Sequence, residues 1–388
     1  MIQGVVKSWN DAVDTWLLSS EKNAAGRLGI VRILFSLFFL WHLSTVWMTS
    51  LGGIPHEFAA KRVLIIEWLP IDLPVVFFAA LESLLVAALI LLLVGYWTRA
   101  ATAIVLVCGC LVEAFLTRTD FERNGVMLFA VIPAAMLLVG DWSAKYSLDA
   151  LLRDRSGGPV IEASDTSARF VLPIHVVLAV LVFLFVSSGV YKLLPGATWL
   201  THPDNFGHIV LERNVELARR GLTPNPIAAF VATTPGFELI IRYLVVILEL
   251  AFVAVFFSRP AAFFLLSWAL FFHALNGIFL LVTFTPILIT YALFVDWVGL
   301  WRRAGLPKLN VAAGLSSRVL ISGTIAAAIL VAGVWNLTPL VRDMLNLGGL
   351  IDARTIWFPI LPIATIAWMV ATYQLGKPLL TRIGLVLG

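Results

Sequence analysis

One lysine, one histidine and one asparagine occupy positions where the surrounding sequence is almost entirely apolar. Lys192 closes a long apolar run that begins near Phe170, which places its ammonium where hydrocarbon gives way to water. His273 and Asn276 lie within a later apolar run at a spacing of three, so a helix would present both on one face. If the three groups converge in a cavity within the membrane, they form a site for acid–base chemistry.

Lys192 has two interpretations. In the first, its side chain extends to the lipid headgroups, as lysines at the ends of membrane spans usually do. In the second, it is held in an apolar wall of the bundle, because Gly189, Ser187 and Ser188 are small and permit another helix to approach closely one turn away. Desolvation in such a wall is what makes a lysine a general base.

Further ionisable groups fall inside the apolar runs, where each costs at least about 2.5 kcal/mol and therefore needs a reason. They are Arg32, His42, Glu82, Glu113, Arg242 and Glu249. Structural pairing is the simpler explanation, for example a bond from Arg32 to a carboxylate of a neighbouring span such as Glu249. The predicted depth of these groups in the membrane favours a shared site instead, because several of them are predicted in the outer half, at the level of Lys192.

The composition predicts an all-α polytopic membrane protein. The 388 residues are 60% hydrophobic and 13% charged, whereas a soluble domain carries about 25% charged residues. The excess apolar surface must face lipid.

The net charge of +4 is not gathered on a soluble domain, which argues against a nucleic-acid partner. Cys108 and Cys110 are two apart in an apolar run and would face opposite ways on a helix, so no metal site is predicted.

About ten stretches are long enough to span a bilayer at roughly 20 residues each, which predicts a bundle of about 8–10 transmembrane helices. They are 28–50, 75–97, 99–117, 124–140, 170–193, 237–257, 260–281, 283–301, 318–340 and 355–375. Before them, apolar residues recur at helical spacing over 1–27, which predicts an interfacial helix, with a frayed tail as the alternative. The predicted divisions are therefore 1–27, a core over 28–301 with a long outer segment at 195–236, and an extension over 302–388 with two further spans.

The orientation follows from the connections between spans. Lys and Arg are more frequent on the side that carries both termini, which predicts cytoplasmic termini by the positive-inside rule. Within the outer segment 195–236, apolar residues are spaced as in one more amphipathic helix over the outer mouth of the bundle. They are Phe206, Ile209, Val210, Val215 and Leu217.

Four stretches, in order, resemble a known family. They are the arginine-rich opening of the first span at 27–34, the entry and exit of the fourth span at 124–128 and 140–149, the stretch 188–199 that contains Lys192, and the Phe-His and Asn stretch 272–284. Together they resemble the HTTM (horizontally transferred transmembrane) family, which includes the vitamin K-dependent γ-glutamyl carboxylase. The resemblance covers about 28–300 and implies a helical bundle whose reaction site opens to the non-cytoplasmic side.

The resemblance implies roles for individual residues. Lys192 falls on the family's catalytic lysine, a base in a reaction that uses reduced vitamin K and oxygen. Gly125 stands where the carboxylase has a histidine, and the two C-terminal spans stand where it has a large lumenal domain, so one reaction-site group and the protein-substrate domain are not matched. The candidate catalytic residues are Lys192, His273, Asn276 and Asn124, and the candidate cofactor-binding residues are Trp199, Glu82, Glu113 and Arg242.

Three functions are consistent with this pattern. The first is an enzyme of the bacterial inner membrane that carries out a redox or carboxylation reaction on the outer face with a quinone, a quinol or a bound lipid, with Lys192 as base. The second is a maturation factor that acts beside partner proteins on a secreted peptide or protein. The third is a non-enzymatic subunit of a larger membrane complex, in which the bundle is kept and the cavity is vestigial.

Overall fold

The computed structural model describes residues 21–44, 73–119, 126–194, 198–201, 205–219, 226–257, 259–277, 287–305, 317–335 and 353–382. Within these ranges all regular structure is helical, as the composition predicts. Five helices are long and apolar enough to cross a membrane, and four shorter apolar helices accompany them. The chain is an integral membrane protein of the all-α class, and its apolar helix faces imply a lipid environment. The predicted interfacial helix at 1–27 lies mostly outside the described residues.

The helices follow the predicted spans closely. In chain order they are α1 Ala24–Ser44, α2 Val75–Val94, α3 Thr98–Thr119, α4 Val126–Val139, α5 Leu148–Arg155, α6 Ala168–Leu193, α7 Thr198–Thr201, α8 Asn205–Arg219, α9 Pro226–Thr233, α10 Pro235–Ala251, α11 Arg259–Leu275, α12 Ile287–Ala292, α13 Trp297–Arg303, α14 Ser317–Trp335 and α15 Ala353–Arg382. A 3₁₀ turn, Phe252–Phe256, continues α10.

The predicted span 283–301 is wrong as a single helix. Its described part is divided into α12 and α13, because Asp296 caps the start of α13 and its side chain accepts a hydrogen bond from the Gly299 amide. Asn23 also donates to Asp296 over 2.9 Å, which joins this turn to the start of α1. A capping aspartate ends the apolar repeat that the sequence pattern treats as continuous.

The chain folds into two compact units, the first formed by Met1–Val177 and Ile289–Leu350 and the second by Leu178–Leu288 and Ile351–Gly388. The predicted division at residue 301 stays a prediction. In the first unit, α2 packs against α1, α3 and α14, and α4 packs against α3. The fully buried side chains Phe35, Phe39 and Phe78 lie in its apolar core.

Arg32 on α1 bonds to the end of α2 within the first unit. Its fully buried guanidinium donates to the carbonyls of Leu92, Leu93 and Tyr146. The proposed pairing of Arg32 with Glu249 is therefore wrong: backbone carbonyls at the end of a helix, which have no partner within the helix, take the place of a carboxylate. A buried guanidinium with these acceptors fixes α1 against α2 and the 140–147 connection.

Asp149 completes the same junction. Its carboxylate accepts hydrogen bonds from the Thr98 amide at 2.9 Å and the Thr98 hydroxyl at 2.7 Å, which caps the start of α3. Its own amide donates to the Gly95 carbonyl over 2.9 Å. Nearby, the Trp142 indole donates to the Thr102 hydroxyl over 3.0 Å. The stretch 140–149, which carries part of the family resemblance, therefore has a structural role in this chain.

Candidate functional site

Lys192 lies against a carboxylate. Its ammonium is 2.7 Å from both carboxylate oxygens of Glu249 on α10 and donates to the Ser188 hydroxyl over 2.8 Å. The Ser188 hydroxyl in turn donates to Glu249 Oε1 over 3.2 Å. The two charged side chains are only 15% and 5% exposed. The Lys192 ammonium is bonded within the bundle by Glu249 and Ser188, and the wall that faces it is acidic rather than apolar.

Gly189 permits this contact. A Cβ at this position would lie 3.1 Å from the Glu249 Cβ and 3.0 Å from the Leu250 side chain, so α6 and α10 approach closely here. Small residues at such crossings are typical of membrane helices. The close approach predicted from Gly189 and its neighbouring serines is confirmed, and it brings the partner of Lys192 within reach.

Replacing Gly189 by leucine should separate the two helices. We expect Gly189→Leu to lower the free energy of unfolding in detergent micelles by about 1–3 kcal/mol, the usual cost of overpacking. Gly323→Leu on α14 is the matched control, because a side chain there meets nothing within 4 Å and the position is exposed. Equal stability of the two variants would show that the crossing is not as close as described.

Trp199 connects Lys192 to a second ion pair. Its indole ring lies 5.3 Å from the lysine ammonium, and its carbonyl accepts a hydrogen bond from Arg242 over 3.1 Å. Arg242 is paired with Glu238 at 3.6 Å, and both side chains are less than 5% exposed. Glu238 also accepts from the Gly207 amide over 3.2 Å. These contacts attach α7 and the start of α8 to α10.

One face of α10 carries the charged groups of both pairs. Glu238, Arg242 and Glu249 are spaced by four and seven residues, which places them in one stripe along the helix. Glu249 lies fourteen residues after the start of α10, about 20 Å along its axis. Because Lys192 meets α10 at that level, the first part of α10 extends beyond the end of α6, and α7 and α8 pack against it.

His273 lies in an aromatic cluster of the same unit. Its ring is 5.8 Å from Phe185 and 5.6 Å from Phe272, and it is buried. Phe185 is stacked on Phe252 with ring centroids 4.0 Å apart. Phe185 and Lys192 are seven residues apart on α6, about 10 Å along the helix. Asn276 follows α11 in a half-buried turn, so a common cavity for all three predicted groups stays a prediction.

The remaining predicted site residues belong to the first unit or lie outside the described residues. Glu113 belongs to the first unit, where it is 3.0 Å from His42 Nε2, and Glu82 is buried in the same unit. Asn124 lies outside the described residues. The structure thus brings Lys192, Trp199 and Arg242 into one network.

Sequence reasoning missed Glu249 and Glu238 as members of that network. The signal for them was present, since both carboxylates lie in the α10 stripe that contains Arg242. The sequence does not give the register between α6 and α10, and this register decides which carboxylate lies beside Lys192.

The Lys192 network, from Ser188 and Glu249 through Trp199 to Arg242 and Glu238, contains an ammonium, two carboxylates and a hydroxyl within an apolar bundle. Such a set can donate and accept protons, and it can hold a polar group of a lipid-soluble molecule. A helix is present in the predicted segment 195–236 as α8, but its buried side differs from the predicted apolar face, because Val210 and Asn214 are buried whereas Val215 is exposed. Comparison of the chain with protein-family models, characterised proteins and solved structures gives no match, so the function of this network is argued from its chemistry.

Proposed function

We infer that the chain is an HTTM-type protein of the bacterial inner membrane, with both termini in the cytoplasm, that carries out acid–base chemistry on a quinol or another lipid. Lys192 is the base of this proposal, and Trp199 and Arg242 shape the site around it. The resemblance of 188–199 to the family's lysine segment supports the assignment. It also suggests the reaction class, oxidation of a quinol by oxygen to the quinone epoxide and water.

The observation that carries the proposal is the buried Lys192–Glu249 pair. Removing two ions from water costs several kcal/mol each, and their attraction offsets that cost only when the geometry is good. Ionisable groups within a membrane protein are therefore rare and mark functional sites by default. Here both members of the pair bond the Ser188 hydroxyl, and the Lys192 ammonium also lies beside the Trp199 ring. A ring beside an ammonium suits a planar ligand such as a quinol.

Purified protein supplied with reduced quinone and oxygen should form quinone epoxide. The Lys192→Met, Glu249→Leu double variant should reduce the rate by about 100-fold or more, the usual contribution of a general base. The double variant is used because it removes both charges together and leaves no buried ion without a partner. Epoxide is measured by chromatography and mass spectrometry.

Arg169→Ala provides the control for loss of a charge elsewhere, since Arg169 is 51% exposed and 3.9 Å from Asp165. Its rate should match that of the unchanged protein. If the unchanged protein forms no epoxide, the quinol reaction is wrong. If the double variant turns over at the full rate, Lys192 has no part in it.

A non-enzymatic membrane subunit or maturation factor is the second candidate. The observation that favours it is that Lys192, on α6, bonds Glu249 on α10, a contact that joins the two helices whether or not it takes part in a reaction. In that case the protein should purify in a fixed ratio with other membrane subunits or with a secreted peptide. An isolated protein with bound quinone would contradict this candidate.

A further inference from the structure

We propose that Glu249 is the final proton acceptor of the Lys192 site, so that the base is the pair and not the lysine alone. This rests on the proposed function and adds to it the residue that receives the substrate proton. The ammonium as it stands has no lone pair for a substrate. It must first lose a proton, and the nearest acceptors are the Glu249 oxygens at 2.7 Å.

The transfer has two steps that balance. Lys192 first gives one proton to Glu249, which leaves an amine and a carboxylic acid. Rotation about the Cε–Nζ bond then turns the lone pair of the amine towards the substrate hydroxyl, whose proton it takes. The lysine ends as an ammonium, Glu249 is protonated, and the substrate is an oxyanion. One O–H bond breaks in the substrate and one forms on Glu249.

The charge balance favours this route in an apolar site. Before transfer the pair is an ammonium and a carboxylate, and after it the ammonium faces the substrate oxyanion. A negative charge moves from Glu249 to the substrate, but no net charge is created, which is important where an isolated ion is expensive. The restored ammonium then stabilises the oxyanion, as positioned charges do in reaction sites.

The surrounding contacts support Glu249 rather than Glu238 as the acceptor. Ser188 lies 2.8 Å from the lysine nitrogen and 3.2 Å from Glu249 Oε1, so it keeps both groups in place when their charges change. The other carboxylate on this face of α10, Glu238, is already paired with Arg242. It also lies eleven residues before Glu249, about 16 Å along the helix.

The test compares Glu249→Gln with Glu249→Asp. Glutamine keeps the shape and accepts a hydrogen bond from Lys192 but cannot take its proton, so epoxide formation should fall by about 100-fold or more. Aspartate keeps the proton acceptor one methylene further away, so its rate should lie between those of Glu249→Gln and the unchanged protein. Infrared difference spectra recorded with reduced quinone but without oxygen should show a protonated carboxyl band, and this band should be missing in Glu249→Gln.

The outcomes separate the two proposals. No epoxide from the unchanged protein contradicts the proposed function. Turnover in the unchanged protein together with full turnover in Glu249→Gln overturns only the role of Glu249. A carboxyl band that persists in Glu249→Gln does the same, because the band then comes from another carboxyl group. If Glu249→Gln fails to fold, Glu249→Asp decides, and an unchanged rate there without a protonated carboxyl band overturns the inference.

Discussion

Lys192→Met alone should lower the free energy of unfolding by about 3–5 kcal/mol, because it leaves the Glu249 carboxylate buried without its cation. Glu249 is only 5% exposed and its oxygens face Lys192 and Ser188. Adding Glu249→Leu should restore most of the loss, since an apolar pair of similar volume is often neutral or stabilising in place of a buried ion pair. The free energy of unfolding of the unchanged protein, the single variant and the double variant is measured by denaturant titration in detergent micelles.

The recovery in the double variant is the informative part. A single variant that unfolds more easily shows only that the carboxylate needs a partner. If the double variant is as unstable as the single one, the lysine stem rather than its charge stabilises the crossing of α6 and α10. If Lys192→Met costs nothing, Glu249 is not buried against it as described.

Gly95→Ala should lower the free energy of unfolding by about 2–5 kcal/mol, the sum of a left-handed conformation and overpacking. Gly95 has φ +75° and ends α2. An added Cβ would lie 2.5 Å from Arg32 Nη1 and still closer to the Ser147 side chain. The methyl group would therefore displace the guanidinium from the carbonyls of Leu92 and Leu93.

Gly157→Ala separates the two causes. Gly157 also has a positive φ, +77°, but a Cβ there meets nothing within 4 Å, so only the conformational cost of about 1–2 kcal/mol applies. Both variants are measured by unfolding in the same detergent. If the two variants lose the same free energy of unfolding, the methyl group added at Gly95 does not press on Arg32 as described.

The fold could be predicted from the sequence because hydrocarbon length and backbone hydrogen bonding leave few choices for an apolar chain. The limits of α2, α3 and α6 agree with the predicted spans to within a few residues. The failure at 283–301 has a local cause. Asp296 lies within the predicted span, whereas in the structure it is the cap of a new helix.

The site could be predicted only in part, since side-chain partners depend on the register between helices. Lys192, Trp199 and Arg242 were chosen from type and position, and the structure connects them. Glu249 was considered as a partner for Arg32, because charge alone cannot show which carboxylate a cation meets. Arg32 bonds to helix-end carbonyls instead, and no sequence pattern identifies a carbonyl as an acceptor.

The position of Arg32 has a consequence for how the chain enters the membrane during synthesis. The first span carries a guanidinium whose acceptors, at Leu92, Leu93 and Tyr146, emerge from the ribosome only later. Insertion scales give a cost of about 2.5–3.5 kcal/mol for an arginine at the centre of a span, which is an upper figure for Arg32 because it lies level with the end of α2. The apolar residues of the first helix therefore have to offset the cost of Arg32 on their own until α2 and the 140–147 connection have been made.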